Sequence, residues 1–321
     1  MDLERMLDKC VKGQWRISDL DWTVAPRPMS RDEEVAIVQY FTNMAGIERL
    51  AGALFAEQRE ITDDPLLKKI FATFVVDEER HAAVASRLAR HYDVHHYQTY
   101  ELSPALVRFR PHFLQAIRLV SPEVANNYIT SGELMLDIAL LRSLDDYVND
   151  DMSHQAMELI NRDESRHIAM DYYMMEYYAS DEYQSRLGEK EKKSPAEWAH
   201  AAWVFSNMIY HARPFVSSVF LNPMALIDPE GKRIREAFKR MQLLSHKPKI
   251  VRRPFARFMQ GLQQAYNNPV LGPVFGGVIS RVGGAPGEYM KTLYSDEEAQ
   301  RAREMSMEEM ARESLAAKHH H

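Results

Sequence analysis

The sequence predicts an all-α protein centred on a four-helix bundle, with a long crossover between helices two and three and additional C-terminal helices after the fourth. Three observations carry this: apolar residues recur at helical spacing, segment starts carry capping residues, and an Asp-Glu-x-Arg-His pattern occurs twice, 86 residues apart. At 321 residues, with 45% hydrophobic and 27% charged, the chain falls among globular proteins with a substantial core.

Residues 1–29 make an N-terminal segment. Ser30 and Glu33 then form a capping box for a first helix to about Ile61, with Val35, Val38, Phe41 and Ala45 at helical spacing. Asp64-Pro65 opens a second helix to about Tyr92, with Leu66, Ile70, Phe74 and Val75 on its apolar side. Residues 93–120, which include Pro104 and Pro111, read as a crossover holding at most a short helix. Ser121-Pro122 opens a third helix to about Val148, and Ser153 a fourth to about Ala179. The bundle thus occupies residues 30–180. Residues 181–294 supply additional helices: one capped at Ser194 with Glu197, and others near 229–245 and 250–266, with Trp198, Trp203, Phe215 and Phe220 available to wall a pocket. The Gly- and Pro-rich stretch 267–288 reads as a loop. Residues 295–321 form a charged helix, opened by Ser295 and Glu298, and end in a tag remnant, His319 to His321.

The two motifs are Asp77-Glu78-Glu79-Arg80-His81 and Asp163-Glu164-Ser165-Arg166-His167. Glu and His three residues apart share a helix face and can share a metal. Each motif follows a helix that carries a glutamate at a matched remove: Glu48 lies 30 residues before Glu78, and Glu133 lies 31 before Glu164. Four carboxylates and two imidazoles on four helices suit two metal ions, because two divalent cations offset four ionised glutamates in a buried site. The sequence therefore assigns Glu48, Glu78, His81, Glu133, Glu164 and His167 as metal ligands.

This paired pattern, with short, long and short connections, resembles the ferritin-like di-iron carboxylate superfamily, above all its oxygenases and oxidases, over residues 30–180. The resemblance implies that Glu48 and His81 are terminal ligands of one iron, that Glu133 and His167 are terminal ligands of the other, and that Glu78 and Glu164 bridge. Asp77 and Asp163 match the family's carboxylates that hydrogen-bond a ligand histidine. Arg80 and Arg166 repeat beside them, with a supporting role and a plain surface role equally open. Asp137, four residues after Glu133 on the same face, could reach the site, with a solvated face residue the simpler account; Tyr128, Tyr172, Tyr173, Tyr177 and Tyr178 read mostly as packing, with an oxidisable tyrosine near the metals as the other reading.

The implied activity is O2-dependent oxidation of a small organic substrate by an oxygenase or oxidase, by N-oxygenation, hydroxylation or desaturation, as in secondary metabolism. Two Fe ions would serve, and a manganese–iron pair suits the same ligands. Size and motif spacing are similar to those of arylamine N-oxygenases, yet Ile160 stands where those have an extra histidine. In the small subunit of ribonucleotide reductase a tyrosine follows the first ligand histidine by four residues, whereas this chain has Ala85 there. A ligand-binding oxidase of that type, or a bacterioferritin- or rubrerythrin-type ferroxidase or peroxidase, is the alternative.

Cys10 is the only cysteine, which excludes an intrachain disulfide or iron–sulfur ligand set, so electrons would come from an external ferredoxin or reductase. A net charge of −6 argues against a broad nucleic-acid surface. No signal-peptide pattern or spanning apolar run is visible, so a cytoplasmic protein without a membrane partner is expected, as a homodimer. His246, Lys247, Lys249, Arg252, Arg253 and Arg257, interleaved with Ile250, Val251, Phe255 and Phe258, could dock an acidic carrier protein, a coenzyme A phosphate or a ferredoxin. A solvated amphipathic helix is the simpler account.

Overall fold

A computed structural model describes residues 1–97, 99–119, 121–188 and 193–317, so the tag remnant lies outside the described residues. Among the described residues every regular element is helical. The N-terminal segment contains α1 (Leu3–Lys12), capped by Asp2, and a 3-10 turn at Ile17–Asp19.

α2 (Arg31–Ile61) starts at the expected capping box: Ser30 N donates to Glu33 Oε2 at 2.8 Å, and Glu33 N donates to Ser30 Oγ at 3.3 Å. α3 (Pro65–Tyr92) begins where Asp64 accepts from the Leu66 and Leu67 amides. The two helices pack side by side. Phe41 stacks on Tyr92, and Phe55 meets Phe71 and Phe74. Each of these fully buried rings contributes roughly 1.5–3 kcal/mol through burial.

The crossover holds more structure than its prolines suggest. α4 (Pro104–Leu119) is a 16-residue helix that contains Pro111. It survives because Leu106, Phe109, Phe113, Ala116 and Ile117 bury one face, and tertiary burial outweighs the local cost of the proline. α5 (Pro122–Leu134) continues through a π-helical turn, Met135–Leu141, into α6 (Arg142–Val148). Asn149 in the left-handed region ends it. α7 (Asp151–Tyr178) starts earlier than the sequence suggested: Asp150 is the cap, accepting from Ser153 N at 2.9 Å.

α2 packs on α3, α5 on α7, α2 on α5 and α3 on α7. These four long helices surround one interior, and it contains buried carboxylates. The rest of the chain wraps them: α8 (Asp181–Gly188), α9 (Pro195–Phe215) with a second π turn at Val216–Leu221, α10 (Asn222–Ile227), α11 (Lys232–Leu244), α12 (Pro254–Asn267), α13 (Leu271–Gly283), α14 (Gly287–Met290), α15 (Asp296–Glu304) and α16 (Met307–Ala317). α9 lies on α4, α11 on the first π turn, and α16 on α7, where Tyr172 Oη and Ser314 Oγ are 2.7 Å apart.

Four expectations change here. The stretch read as a loop contains α13, whose glycines serve close helix packing rather than turns. The terminal charged helix is two helices, because Ser306 and Glu309 form another capping box that restarts the chain after α15. Trp198 and Trp203 are exposed and do not line the large apolar cavity, whereas Phe215 and Phe220 do. Within the basic stretch, residues 245–253 are turns, with Ile250 buried; only its end enters α12.

Candidate metal centre

The fold brings all six predicted ligands into one buried cluster. Glu48 comes from α2, Glu78 and His81 from α3, Glu133 from the end of α5, and Glu164 and His167 from α7. Each is at most 2% exposed. They form two overlapping sets in which each residue offers an atom within 4.8 Å of the others: Glu48, Glu78, His81 and Glu164; and Glu78, Glu133, Glu164 and His167. Glu78 and Glu164 belong to both.

The local structure explains the convergence. Gly52, four residues after Glu48, lies against Glu78, where an added Cβ would sit 3.2 Å from Glu78 Cβ, so α2 and α3 approach closely beside the cluster. Directly after Glu133 the helix widens into the π turn, which redirects the following side chains. Asp137, within this turn, is buried, where the sequence favoured a solvated residue.

Both histidines point Nδ1 into the cluster. His81 Nδ1 is 3.0 Å from Glu164 Oε1, close but poorly aligned for a hydrogen bond, and His167 Nδ1 is 3.1 Å from both Glu78 Oε1 and Glu164 Oε2. Their outward nitrogens are held by the predicted aspartates in a crossed arrangement. His81 Nε2 is 3.1 Å from Asp163, and His167 Nε2 is 3.4 Å from Asp77.

Arg80 and Arg166 lock this layer. Arg80 pairs with Asp77 and reaches Asp163 Oδ2 at 3.0 Å, while Arg166 pairs with Asp163 and reaches Asp77 Oδ2 at 3.6 Å. The N-terminal segment completes it. Gln14 Nε2 donates to Asp77 at 2.8 Å, Trp15 Nε1 donates to Asp163 at 2.7 Å, and Arg80 donates to Gln14 Oε1 at 2.7 Å. Sequence reasoning missed Gln14 and Trp15, which lie in no motif and at no helical spacing from one. It also missed Asp171, one turn after His167, buried with neither carboxylate oxygen hydrogen-bonded.

The electrostatics are those of a site built around positive charge. Burial, then the Glu164 charge, pushes Glu48 up to about 7. Burial, then neighbouring carboxylates, raises Glu78 and Glu133 well above the usual range. Burial opposes ionisation of Glu164, but the His167 charge and hydrogen bond, with the His81 ring close by, hold it well below its ordinary value. Burial alone would depress the histidines. The Asp163 hydrogen bond and the adjacent Glu164 carboxylate instead push His81 up to about 10, and the Glu164 charge with the Asp77 hydrogen bond pushes His167 up to about 9.

Both oxygens of Glu48 and Glu78, Glu133 Oε2, Glu164 Oε1 and His81 Nδ1 are buried without a hydrogen-bond partner. Buried polar atoms left unmatched are costly, and two cations would match this group. The donor set therefore fits a pair of metal ions.

Beside the cluster lies a cavity of about 310 Å³, walled by residues such as Leu50, Phe113, Tyr128, Met208, Phe220 and Phe255. Among the described residues its single charged wall residue is Glu133. The cavity thus meets the cluster at one of its carboxylates, and elsewhere it is predominantly apolar. No protein-family model matches the chain, and a search of curated proteins finds no match.

Proposed function

We propose that this chain is a non-haem di-iron oxidoreductase on a ferritin-like four-helix bundle, acting with O2 on a small apolar organic molecule. The observation that carries the reading is the pair of four-residue sets sharing Glu78 and Glu164, with an apolar cavity ending at Glu133. When bound, iron would supply the electrons that reduce O2 and the resulting oxidising power.

The chain's own residues do the rest. Glu48 with His81, and Glu133 with His167, would each hold one ion, and Glu78 and Glu164, which belong to both sets, would be shared between the two. Asp163 and Asp77 hold the imidazole Nε2 atoms, which turns each Nδ1 toward the carboxylate cluster, where it would face a metal. Apolar walls position a substrate next to Glu133 and exclude water from the reacting face. Ile160 is fully buried and apolar, so it supports a six-ligand site rather than one with an extra histidine. The cavity favours substrate oxidation over iron storage, because storage needs no apolar chamber. Electrons would come from an external ferredoxin or reductase, in a cytoplasmic setting.

Metal analysis after anaerobic iron loading, followed by optical spectroscopy on O2 admission, tests this. Two irons per chain and an O2-dependent spectral change are expected. Failure to bind any transition metal overturns the site, and uptake of many irons per chain favours a ferroxidase.

A further inference from the structure

α13 presents its bulk to the outside. At 3.6 residues per turn, Leu271, Val274, Phe275, Val278 and Val282 fall within an arc of roughly 100°. All five are exposed, from 42% for Leu271 to 69% for Val274. The opposite arc holds Gly272, Gly276, Ser280 and Gly283. There α13 lies so close to α12 that a Cβ on Gly276 would stand 3.2 Å from the Tyr266 ring, and one on Gly272 would overlap the Tyr266 carbonyl oxygen. A surface helix of a globular protein does the reverse, turning its apolar stripe toward the core. A contiguous apolar face of this kind marks a surface that meets something other than water.

The charge pattern indicates what it meets. Residues 245–287 contain six Lys and Arg and no Asp or Glu; removing that +6 from the chain's net −6 leaves −12 on the remainder. Two of the six are engaged internally, Lys247 with the Arg303 carbonyl at 3.2 Å and Arg253 with Glu123 at 2.7 Å. Lys249, Arg252, Arg257 and Arg281 are exposed, and among the described residues none of the four is ion-paired. Arg281 borders the apolar face on α13 itself. The short link between α12 and α13 makes them an antiparallel hairpin, so Arg252 and Arg257 lie at the end that holds Arg281.

We propose that the α12–α13 hairpin docks on an anionic phospholipid bilayer, with the α13 apolar face entering the acyl boundary and the four free cations meeting headgroup phosphates. Among the described residues no helix is long and apolar enough to cross a membrane, and interfacial docking requires none. A second copy of the chain fits this face poorly, because a two-fold contact would bring two like-charged clusters into one interface. The inner side of the same hairpin, including Phe255, Met259, Gln263 and Gly283, walls the cavity. Docking would therefore bring an apolar molecule dissolved in the bilayer to the cavity without a passage through water. This revises the expectation of no membrane partner, and it stands independently of which metal the cluster holds.

Co-sedimentation of the full chain with vesicles tests the proposal. The vesicles are phosphatidylcholine alone or phosphatidylcholine mixed with phosphatidylglycerol. Partitioning onto the anionic vesicles is expected to exceed that onto the zwitterionic ones at least tenfold. It should fall when salt rises from about 0.1 to about 1 M, which shortens the screening length from about 10 to about 3 Å. Val274→Glu with Val278→Glu, and separately Arg252→Glu with Arg257→Glu, should each reduce it tenfold or more at unchanged circular dichroism. Absence of the wild-type chain from the anionic vesicle pellet overturns the proposal, as does wild-type binding by the valine variant. A solution dimer that the valine substitutions dissociate also overturns it, by showing that a second copy covers the face.

Discussion

Asp163 Oδ2 lies 3.1 Å from His81 Nε2, although the two belong to different helices and to different copies of the motif. Asp77 and His167 repeat the relationship at 3.4 Å. Asp163→Asn should keep the shape but weaken the fixing of the His81 ring. A loss of 10- to 100-fold in metal affinity is expected, measured by competition with a chelator. Unchanged affinity in both Asp163→Asn and Asp77→Asn would remove the orienting role.

Removing the two shared carboxylates separates their two effects. Glu78→Gln with Glu164→Gln should bring metal content well below two ions per chain. Among the single variants, Glu78→Gln should melt higher than the metal-free wild type, because burial and neighbouring carboxylates penalise its charge, whereas Glu164→Gln should melt lower, because it loses the ionised carboxylate that pairs with His167. Thermal melts with and without metal check both outcomes.

Trp15→Phe keeps the ring over His81 but deletes the donor to Asp163. A destabilisation of about 1–3 kcal/mol is expected in denaturant titrations, together with weaker metal retention. A variant with wild-type stability and metal affinity would show that the N-terminal segment merely covers the site.

Ala51 lies one turn after Glu48 and lines the cavity. Ala51→Phe should fill part of that volume and reduce binding of a fluorescent apolar probe about tenfold, while metal content stays unchanged. A parallel loss of metal would show that the substitution reached the ligands instead.

The α2 capping box is pH-sensitive in a definite direction. The Ser30 backbone amide and hydroxyl, with Arg27, bring Glu33 down to about 2. A depressed carboxylate stabilises above its unfolded value of about 4.3, and the contribution is lost as pH falls toward 2. Glu33→Gln should flatten that part of the stability curve, and Ser30→Ala should cost about 1 kcal/mol at neutral pH. Melting temperatures between pH 2 and 7 are the measurement.

The candidate ligands were legible because a metal pair constrains residue type and helix spacing together, and Glu48, Glu78, His81, Glu133, Glu164 and His167 all obey that constraint. Helix starts at Ser30, Asp64, Ser121 and Ser194 were legible because capping is a local hydrogen bond. Gln14 and Trp15 were not, since their contacts to Asp77 and Asp163 span 63 and 148 residues and leave no periodic trace. α13 was misread for a related reason: glycines that permit close helix contact look, in sequence, like glycines that permit turns. Asp137 was placed in solvent on its charge alone, although its spacing of four from Glu133 already put it on the Glu133 face, which the structure buries.

The crossed aspartates make neither half of the repeat self-sufficient. Residues 30–92 contain Glu48, Glu78 and His81, yet the group that orients His81 is encoded 82 residues later, and the reverse holds for His167. A chain carrying only one half of the repeat could complete such a site only by meeting a second copy of itself about a two-fold axis. In genetic terms the two motifs are one unit of selection: a substitution at Asp77 is felt at His167, and compensation for it must arise in the other half.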